Sequence, residues 1–434
     1  TLSTAESATI TDLKLVDNAT GAQIGTTKTS PSTSNSFSVN FDMGASATKV
    51  VNIVANVKSG SNIGPWAAFA DGSGTGSSTG SSITFGSATA NELQTITIGS
   101  AVLTAATGVS PDNQNVIAGA SMVKVGTFDF TAQYSPYTID KIKVKVLANA
   151  ATAVTSITLK YPNASGTLVE SLQNISVSSG AQTHATSTFE GLTFYVPAGT
   201  TKQLDAYVNL SAIQNDGDSG KSVTIILDYN EGFNATDSSG TADTSLTASA
   251  DLASTDTSGK GTLVVRKSIP TLSAVALDTS TLTAGSNKAI GRVKVTADAA
   301  GNVSWDKLVF TVSKTAAVTL GATSTIALWS GSNQIAGNFA TVAGALANQT
   351  GTDPWGASST GGTLAFLPTS EQSILAGQSA TYELRGTVGG ISASGGYVLD
   401  VSIATAASSA TTGTAANIGV TGAATPSFTW SDKS

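Results

Sequence analysis

GASMVKVGTFDFTAQYSPYTIDKIKVKV, residues 119–146, is one of two related stretches that decide the fold. The second stretch, GSNKAIGRVKVTADAAGNVSWDKLVFTV, spans residues 285–312, and each of its landmarks lies 166 residues after its counterpart: Gly285 after Gly119, and Asp306 after Asp140. In both, a run of alternating apolar and polar residues passes through a turn-rich loop into a second alternating run that begins at an Asp-Lys pair. This pattern is typical of a β-hairpin, and its repetition predicts an array of β-sheet modules.

The succession of strands around these hairpins predicts three modules. Segments rich in Gly, Ser, Pro and Asp follow the expected closing strands near residues 110 and 277, which divides the chain into residues 1–110, 111–277 and 278–434. Each module offers roughly eight short strands joined by turn residues, so we expect an all-β protein of tandem immunoglobulin-like antiparallel β-sandwiches. The first two modules share an offset of 153 residues, which relates residues 52–57 to residues 205–210.

The first module lacks the leading hairpin that its siblings carry at residues 122–146 and 287–312. A sandwich without these strands exposes unpaired backbone and an apolar face. Two explanations remain open: a trimmed or smaller first domain, or donation of the strands by another subunit. The second explanation makes this end of the chain the leading candidate for an interface. The candidate interface residues on its two apolar runs are Ile10, Leu13, Leu15, Val51 and Ile53.

Composition narrows the possible partners and location. The net charge is −7 and the pI about 4.7, and the 21 basic residues do not cluster, which argues against nucleic acid. The chain has no cysteine, so it forms neither disulfides nor thiolate metal sites. A cysteine-free chain that begins at Thr1 rather than Met fits a secreted product after removal of a signal peptide, or a chain trimmed at its ends. No apolar stretch approaches 18 residues, so we expect no membrane-spanning segment. Together with the lack of cysteine, this favours an extracellular location.

Few residues suit catalysis, and the sequence predicts that the protein is not an enzyme. The single histidine, His184, lies in a polar stretch with no nucleophile motif around it. Carboxylates occur without the aromatic subsites of a glycosidase cleft, since aromatic residues make up only 6% of the chain.

Calcium is the one cofactor that the sequence leaves open. Asn215, Asp216 and Asp218 place amide and carboxylate oxygens, the ligands that Ca²⁺ prefers, in one loop. Glycines at positions 217 and 220 permit the sharp turn of such a loop. The distal bidentate Glu of a calcium loop is missing, and a plain hairpin turn prefers the same residue types.

Two tryptophans lie in Gly-rich loops. Trp66 follows Pro65 in the first module, and Trp355 follows Pro354 in the third. Local packing, a subunit interface and glycan binding all remain open for these rings, because one indole buries a large area wherever it docks.

Several stretches resemble one group of proteins: KSIPTLSAVAL at 267–277, VPAGTTKQLDAYVNL at 196–210, IGRVKVTADAAGNVSWDKLVFTV at 290–312 and PSFTWSDKS at 426–434. The chain resembles the large secreted β-sandwich, S-layer-like surface proteins of candidate phyla radiation bacteria (Patescibacteria). The resemblance implies a cell-surface location and a structural role, and it carries no catalytic residues. The third module departs from the pattern, with LPTSEQSILAGQSAT in place of the VPAGTT segment.

The sequence therefore predicts a non-catalytic structural subunit of an extracellular assembly, either an S-layer lattice or a filament. Such a subunit would associate with copies of itself through repeated non-covalent contacts, including strand donation. The alternative is a surface adhesin that binds glycan or a host surface through loop tips.

Overall fold

The computed structural model describes residues 1–58, 70–86, 93, 99–175, 184–213, 219–228, 232–244, 246, 251–341, 353–356, 359–392, 395–403, 408–410 and 427–433. Within these residues the chain consists mainly of β-strands arranged in antiparallel sheets, with short helices only. The predicted all-β fold is confirmed, with multiple antiparallel sheets.

The first module contains a short helix, a small sheet and a separate hairpin. Its elements are α1 (Thr4–Thr9), β1 (Ile10–Asp17), β2 (Gln23–Lys28), β3 (Val51–Val57), β4 (Asp71–Thr75) and β5 (Ser82–Gly86). The sheet has the order β2-β1-β3, while β4 and β5 pair only with each other among the described strands. Helix α1 begins at a capping box in which Ser3 and Glu6 each accept the other's backbone N–H.

The second sandwich contains most of the strands in the middle of the chain. Its elements are β6 (Val102–Thr107), β7 (Gln114–Ile117), β8 (Val123–Gln133), β9 (Tyr137–Leu147), α2 (Ala148–Ala151), β10 (Val154–Pro162), β11 (Leu168–Asn174), β12 (His184–Val196), β13 (Thr200–Leu210), β14 (Ser222–Val223), β15 (Ile225–Asp228), β16 (Asn234–Asp237), β17 (Ala242–Asp243), β18 (Leu252–Ala253) and β19 (Leu263–Arg266). One sheet has the order β11-β10-β13-β8-β6. The facing sheet is built on β9, which pairs with β12 along one edge and with β15 and β16 along the other. Phe128, Phe130 and Phe194 are fully buried between the sheets.

The third sandwich repeats this plan. Its strands are β20 (Thr271–Ala274), β21 (Gly285–Thr296), β22 (Val303–Lys314), β23 (Ala327–Ser330), β24 (Asn333–Ile335), β25 (Gly337–Thr341), β26 (Gly361–Pro368), β27 (Gln372–Ile374), β28 (Ser379–Val388), β29 (Leu399–Ile403), β30 (Ser408–Ala410) and β31 (Phe428–Ser431), with a 3₁₀ turn at Thr323–Thr325. One sheet has the order β24-β23-β28-β21-β20. The other is built on β22, which pairs with β26, β27, β29 and β31. Trp305 and Trp430 are buried in its core.

The three modules match strand by strand in the first sheet. Positions one to five hold β11-β10-β13-β8-β6 in the second module and β24-β23-β28-β21-β20 in the third. The first module fills only the first three positions, with β2-β1-β3. In the second and third modules the leading hairpin supplies the fourth strand of this sheet (β8 or β21) and the central strand of the facing sheet (β9 or β22). The described residues of the first module include neither strand.

Two strands lie on the other side of the boundaries predicted at 110 and 277. Strand β6 pairs with β8, and its Leu103 is buried in the second core, although β6 precedes the boundary expected near residue 110. Strand β20 pairs with β21 of the third sandwich. Turn-forming residues mark where the chain bends, but strand pairing decides to which sheet a neighbouring segment belongs.

Candidate interaction surface

The predicted interface residues on β1 and β3 differ in exposure. Ile10 and Leu13 are 1% and 5% exposed and pack with Leu2 in a small core, so their side chains stabilise the module and are not available to a partner. Leu15 and Val51 are half-buried. Ile53 is 37% exposed. The accessible part of the predicted interface is therefore β3 rather than β1.

Strand β3 has a free edge. At its two ends, the Lys58 N–H donates to Thr9 O at 2.8 Å and the Asn18 N–H donates to Val50 O at 3.1 Å, so residues 50 and 58 point their backbone groups toward β1. Amides alternate sides along an antiparallel strand. The odd-numbered residues 51–57 therefore direct their N–H and C=O groups to the opposite edge, where no described strand pairs with them.

Exposed apolar side chains concentrate in the first module. Of the eighteen large hydrophobic residues that are exposed in the described chain, ten lie within the first 93 residues. We call these ten residues the first-module apolar surface: Val39, Phe41, Met43, Val50, Ile53, Val54, Val57, Ile83, Phe85 and Leu93. Exposed apolar patches mark association sites in many proteins, and these ten residues are the candidates for such a site here.

A cation holds part of this surface against β1. Lys49 Nζ lies 2.6 Å from Asp17 Oδ2 and 5.2 Å from the centre of the Phe41 ring. The hydrogen bond from Lys49 keeps the pKa of Asp17 below its usual value, so the Asp17 carboxylate is ionised at neutral pH. Lys49 therefore contacts both β1 and the segment that carries Phe41, which belongs to no strand.

Of the two loop tryptophans, only Trp355 belongs to the described residues. It is half-buried against the third core, and its indole N–H donates to Thr363 O at 3.2 Å. Nearby, Lys314 Nζ lies 2.6 Å from Asp353 Oδ2, and both side chains are buried. Burial raises the pKa of Asp353, and the hydrogen bond from Lys314 offsets part of this effect. Trp355 is therefore packed and internally bonded, whereas Trp66 lies outside the described residues.

The predicted calcium residues Asn215, Asp216 and Asp218 also lie outside the described residues, but the neighbouring Ser219 is described. Its hydroxyl donates to the carboxylate of Asp432 near the end of the chain. No cluster of three carboxylate or histidine ligands occurs in the part of the chain that the structure describes.

Asp432 joins the second and third sandwiches. Its fully buried carboxylate accepts the Lys267 N–H at 2.7 Å as well as the Ser219 hydroxyl, and it lies 3.9 Å from the Arg266 guanidinium. The Arg266 side chain also stacks over Trp430, at 5.6 Å from the ring centre. The sequence did not predict this junction. One signal for it was the similarity of residues 428–432, FTWSD, to residues 233–237, FNATD, which end in the same Asp.

In the second copy of the Asp-Lys pair, the Asp306 carboxyl has a strongly raised pKa. Asp306 is 1% exposed, and burial raises its pKa to about 6, with a further rise from the nearby Glu371 carboxylate. A raised pKa beside a second carboxylate is the electrostatic pattern of a general acid. A substrate cannot reach this carboxyl, because it lies inside the sandwich.

Two shallow depressions show what the surface offers to small molecules. One, of about 340 Å³, is lined by Thr152, Leu210, Val265 and similar side chains that do not titrate. The other, of about 380 Å³, lies in the first module around Asp17, Lys49 and Met43. In the second depression Asp17 and Lys49 are paired with each other. No helix in the described ranges has the length and hydrophobicity to cross a bilayer.

Comparison with known proteins gives distant structural similarity alone. No protein-family profile and no curated protein matches the chain. It is similar to the B domain of a biofilm associated protein, at 9% identity and a TM-score of 0.19, with 66% of this chain and 72% of that chain covered. It is also similar to a partial N-terminal region of an enterococcal surface protein, at 10% identity and a TM-score of 0.20, with coverage of 66% and 83%. A membrane anchored protein from Corynebacterium diphtheriae has 10% identity and a TM-score of 0.17, with coverage of 78% and 92%. Scores this low carry no argument about function.

Proposed function

We propose that this protein is a non-catalytic structural subunit of an extracellular, cell-surface assembly, a lattice or a filament, held together by repeated non-covalent contacts. The observation that carries the proposal is the first-module apolar surface. Its side chains stabilise no core in the single chain, and removing them from water contributes about 25 cal/mol for each Å² buried. Contact with a further polypeptide segment, donated as the assembly forms, is the process that would bury them.

The charge of the chain supports wide contacts between subunits. Only 11% of its residues are charged, and Ser, Thr, Ala and Gly fill the remaining surface positions. Burying charged groups without partners is costly, whereas hydroxyl groups can exchange water for partner hydrogen bonds. A closed contact geometry would give rings or sheets, and an open head-to-tail geometry would give fibres.

Negative-stain electron microscopy of the purified, concentrated chain tests this proposal, with calcium and with a chelator. We expect ordered sheets or fibres, and their loss in chelator would indicate a role for calcium. The double variant Ile83→Lys, Phe85→Lys should abolish assembly, because it places two charges on side chains that are 56% and 63% exposed in the single chain.

The matched control is Leu168→Lys, Leu172→Lys on β11. These side chains are 71% and 55% exposed on an edge strand of the second sandwich, outside the first-module apolar surface. The control should assemble like the unmodified chain. Monodisperse particles of the unmodified chain at every concentration, or equal loss of assembly in both variants, would contradict the proposal.

A further inference from the structure

We infer that the first module is completed by a β-hairpin of the β8–β9 type, contributed by a polypeptide segment outside residues 1–434. The hairpin would place one strand along the free edge of β3 and its second strand at the centre of the missing facing sheet. This inference deepens the proposed assembly and rests on it for its biological use, but it has a structural test of its own.

The first line of support is a set of apolar residues related by the offset of 153. The pairs are Val39 and Leu192, Phe41 and Phe194, and Met43 and Val196. The first-module members are 38–55% exposed, while their counterparts on β12 are 0–4% exposed. On β12, Phe194 is paired with Ile139 and Val196 with Tyr137, both on β9. The first-module segment has the same apolar spacing, but it pairs with none of the described strands and forms no regular structure itself.

Strand β3 gives the second line of support. The same offset relates Val51, Ile53, Ala55 and Val57 to Leu204, Ala206, Val208 and Leu210 on β13. The four residues of β13 are at most 5% exposed, whereas Ile53 and Val57 are 37% and 49% exposed. In β13, Leu204 is paired with Phe128 and Ala206 with Gly126, both on β8. The free edge of β3 therefore lies where its sibling carries β8.

The third line of support comes from β5. Its sequence Ser82-Ile83-Thr84-Phe85 is similar to residues 427–430, Ser-Phe-Thr-Trp, and places apolar side chains at the same two positions. Phe428 and Trp430 are 2% and 1% exposed, and Trp430 is paired with Trp305 on β22. Ile83 and Phe85 are exposed, because β5 pairs with β4 instead of a central strand.

All three sets point to one missing element. Strands β8 and β9 are consecutive, as are β21 and β22, so a single hairpin covers every counterpart of the exposed side chains. The first strand of such a hairpin pairs antiparallel with β3, as β8 does with β13, and the second covers the side chains at 39–43 and 83–85.

The resident hairpins are not free to supply these strands. Phe128 and Phe130 of β8 and Val144 of β9 are fully buried in the second core. Val293 and Trp305 on β21 and β22 are fully buried in the third. Donating either hairpin would expose the core that it fills, which assigns the occupant to a segment beyond these residues.

The test uses a synthetic peptide with the sequence of residues 119–147, added to the full chain and followed by backbone hydrogen exchange. We expect the peptide to slow exchange of the amides of residues 51, 53, 55 and 57 at least about tenfold, because these amides face the free edge. A peptide with Phe128→Asp and Phe130→Asp should produce no protection, since its core-facing side chains are charged.

Variants of the chain locate the binding edge. Ile53→Glu should fold like the parent, because Ile53 is exposed in the free chain, yet it should weaken peptide binding at least about tenfold by burying a charge in the complex. Leu168→Glu on β11 makes the same change at an exposed edge-strand position and should leave binding intact.

A second format guards against poor peptide behaviour. The same hairpin sequence, fused before Thr1 through a flexible Gly/Ser linker, raises the effective concentration of the strands to the millimolar range. We expect protection of the β3 amides in this fusion and none when the fused hairpin carries the two Asp substitutions. Absence of protection with both free and fused hairpins would overturn the inference.

Two further outcomes separate the inference from the proposed function. Protection of β3 without added hairpin that rises with protein concentration would mean that a second copy fills the edge, which overturns the assignment to an external segment. Protection by the hairpin in a chain that never forms sheets or fibres would support the inference while contradicting the proposed assembly.

Discussion

Asp140 and Asp306 occupy the same position of the repeated hairpin but have different environments. Asp140 accepts a hydrogen bond from Asn234 Nδ2 at 2.6 Å. Neither oxygen of Asp306 accepts a hydrogen bond from another residue within the described ranges. The difference follows from the paired strand, since Asn234 lies opposite Lys141 whereas Thr429, with its shorter side chain, lies opposite Lys307. Asn234 supplies a donor to the half-buried Asp140, and Thr429 at the matching position supplies none to the buried Asp306.

Replacing Asp306 with Asn should stabilise the third sandwich at neutral pH. The pKa of Asp306 is raised to about 6 from 3.8, so its contribution to stability is complete below about pH 4 and is lost as pH rises through 6. Asn keeps the uncharged shape at every pH. We expect Asp306→Asn to raise the free energy of unfolding by ~2 kcal/mol at pH 7 and to have little effect at pH 4, as measured by urea denaturation.

The matched control is Asp140→Asn, at the repeated position in the second sandwich. Its carboxylate already has a partner, so the substitution should weaken a charge-assisted hydrogen bond and cost about 1 kcal/mol at neutral pH. If Asp306→Asn destabilised the protein at pH 7, the buried carboxylate would have to be ionised and favourably paired in the folded state.

At the scale of elements, β12 shows what the first module lacks. Phe194 on β12 packs edge-on against Phe130 at 5.3 Å and lies 5.5 Å from the Tyr161 ring. Phe41 has the same place in the repeat but is 38% exposed. The same apolar spacing therefore yields a core strand beside the central strand β9 and an exposed, irregular segment in the first module, where no described strand pairs with it.

Phe194→Ala and Phe41→Ala should differ strongly in their effects on stability. Removing the fully buried Phe194 ring leaves a cavity and should cost ~3–5 kcal/mol, whereas removing the exposed Phe41 ring should cost less than about 1 kcal/mol. Hydrogen exchange of residues 123–210 measures the first effect, and exchange of residues 1–58 measures the second. A comparable loss in both variants would show that Phe41 already lies in a formed core.

Sequence periodicity predicted the strands better than it predicted their grouping. The alternating runs at 123–146 and 285–312 are hairpins in the structure, and the missing hairpin of the first module follows from the same pattern. Strands β6 and β20 precede the expected boundaries, whereas their partners β8 and β21 follow them, so these pairings join segments that the pattern treats as separated by a linker.

The candidate surface was predicted only in part for a similar reason. Ile10 and Ile53 both belong to apolar runs. Ile10 is buried because it packs with Leu2 and Leu13, whereas Ile53 lies on β3, at the edge of the described sheet. The burial of a strand residue depends on which segments pack against its strand, and the apolar pattern of a single sequence does not specify these segments.

For the molecule as a whole, one carboxylate links distant parts of the chain. Ser219 and Asp432 are 213 residues apart, and their hydrogen bond joins a turn of the second sandwich to the end of the last strand of the third. In the second sandwich the corresponding Asp237 instead accepts N–H groups of Ser239 and Thr241 within its own turn. The repeated Asp thus closes a local turn in one module and a junction between modules in the next.

Replacing Asp432 with Ala should loosen this junction and destabilise the third sandwich by ~3 kcal/mol, because the buried Ser219 hydroxyl and Lys267 N–H lose their common acceptor. Tryptophan fluorescence reports the change, since four of the five tryptophans lie in residues 305–430 and none lies between residues 101 and 265. Asp237→Ala, the matched control, removes only turn contacts and should leave the fluorescence transition in urea unchanged. The junction is stabilising only if the two variants differ in this transition; an unaltered midpoint in Asp432→Ala would mean that the sandwiches unfold independently of their contact.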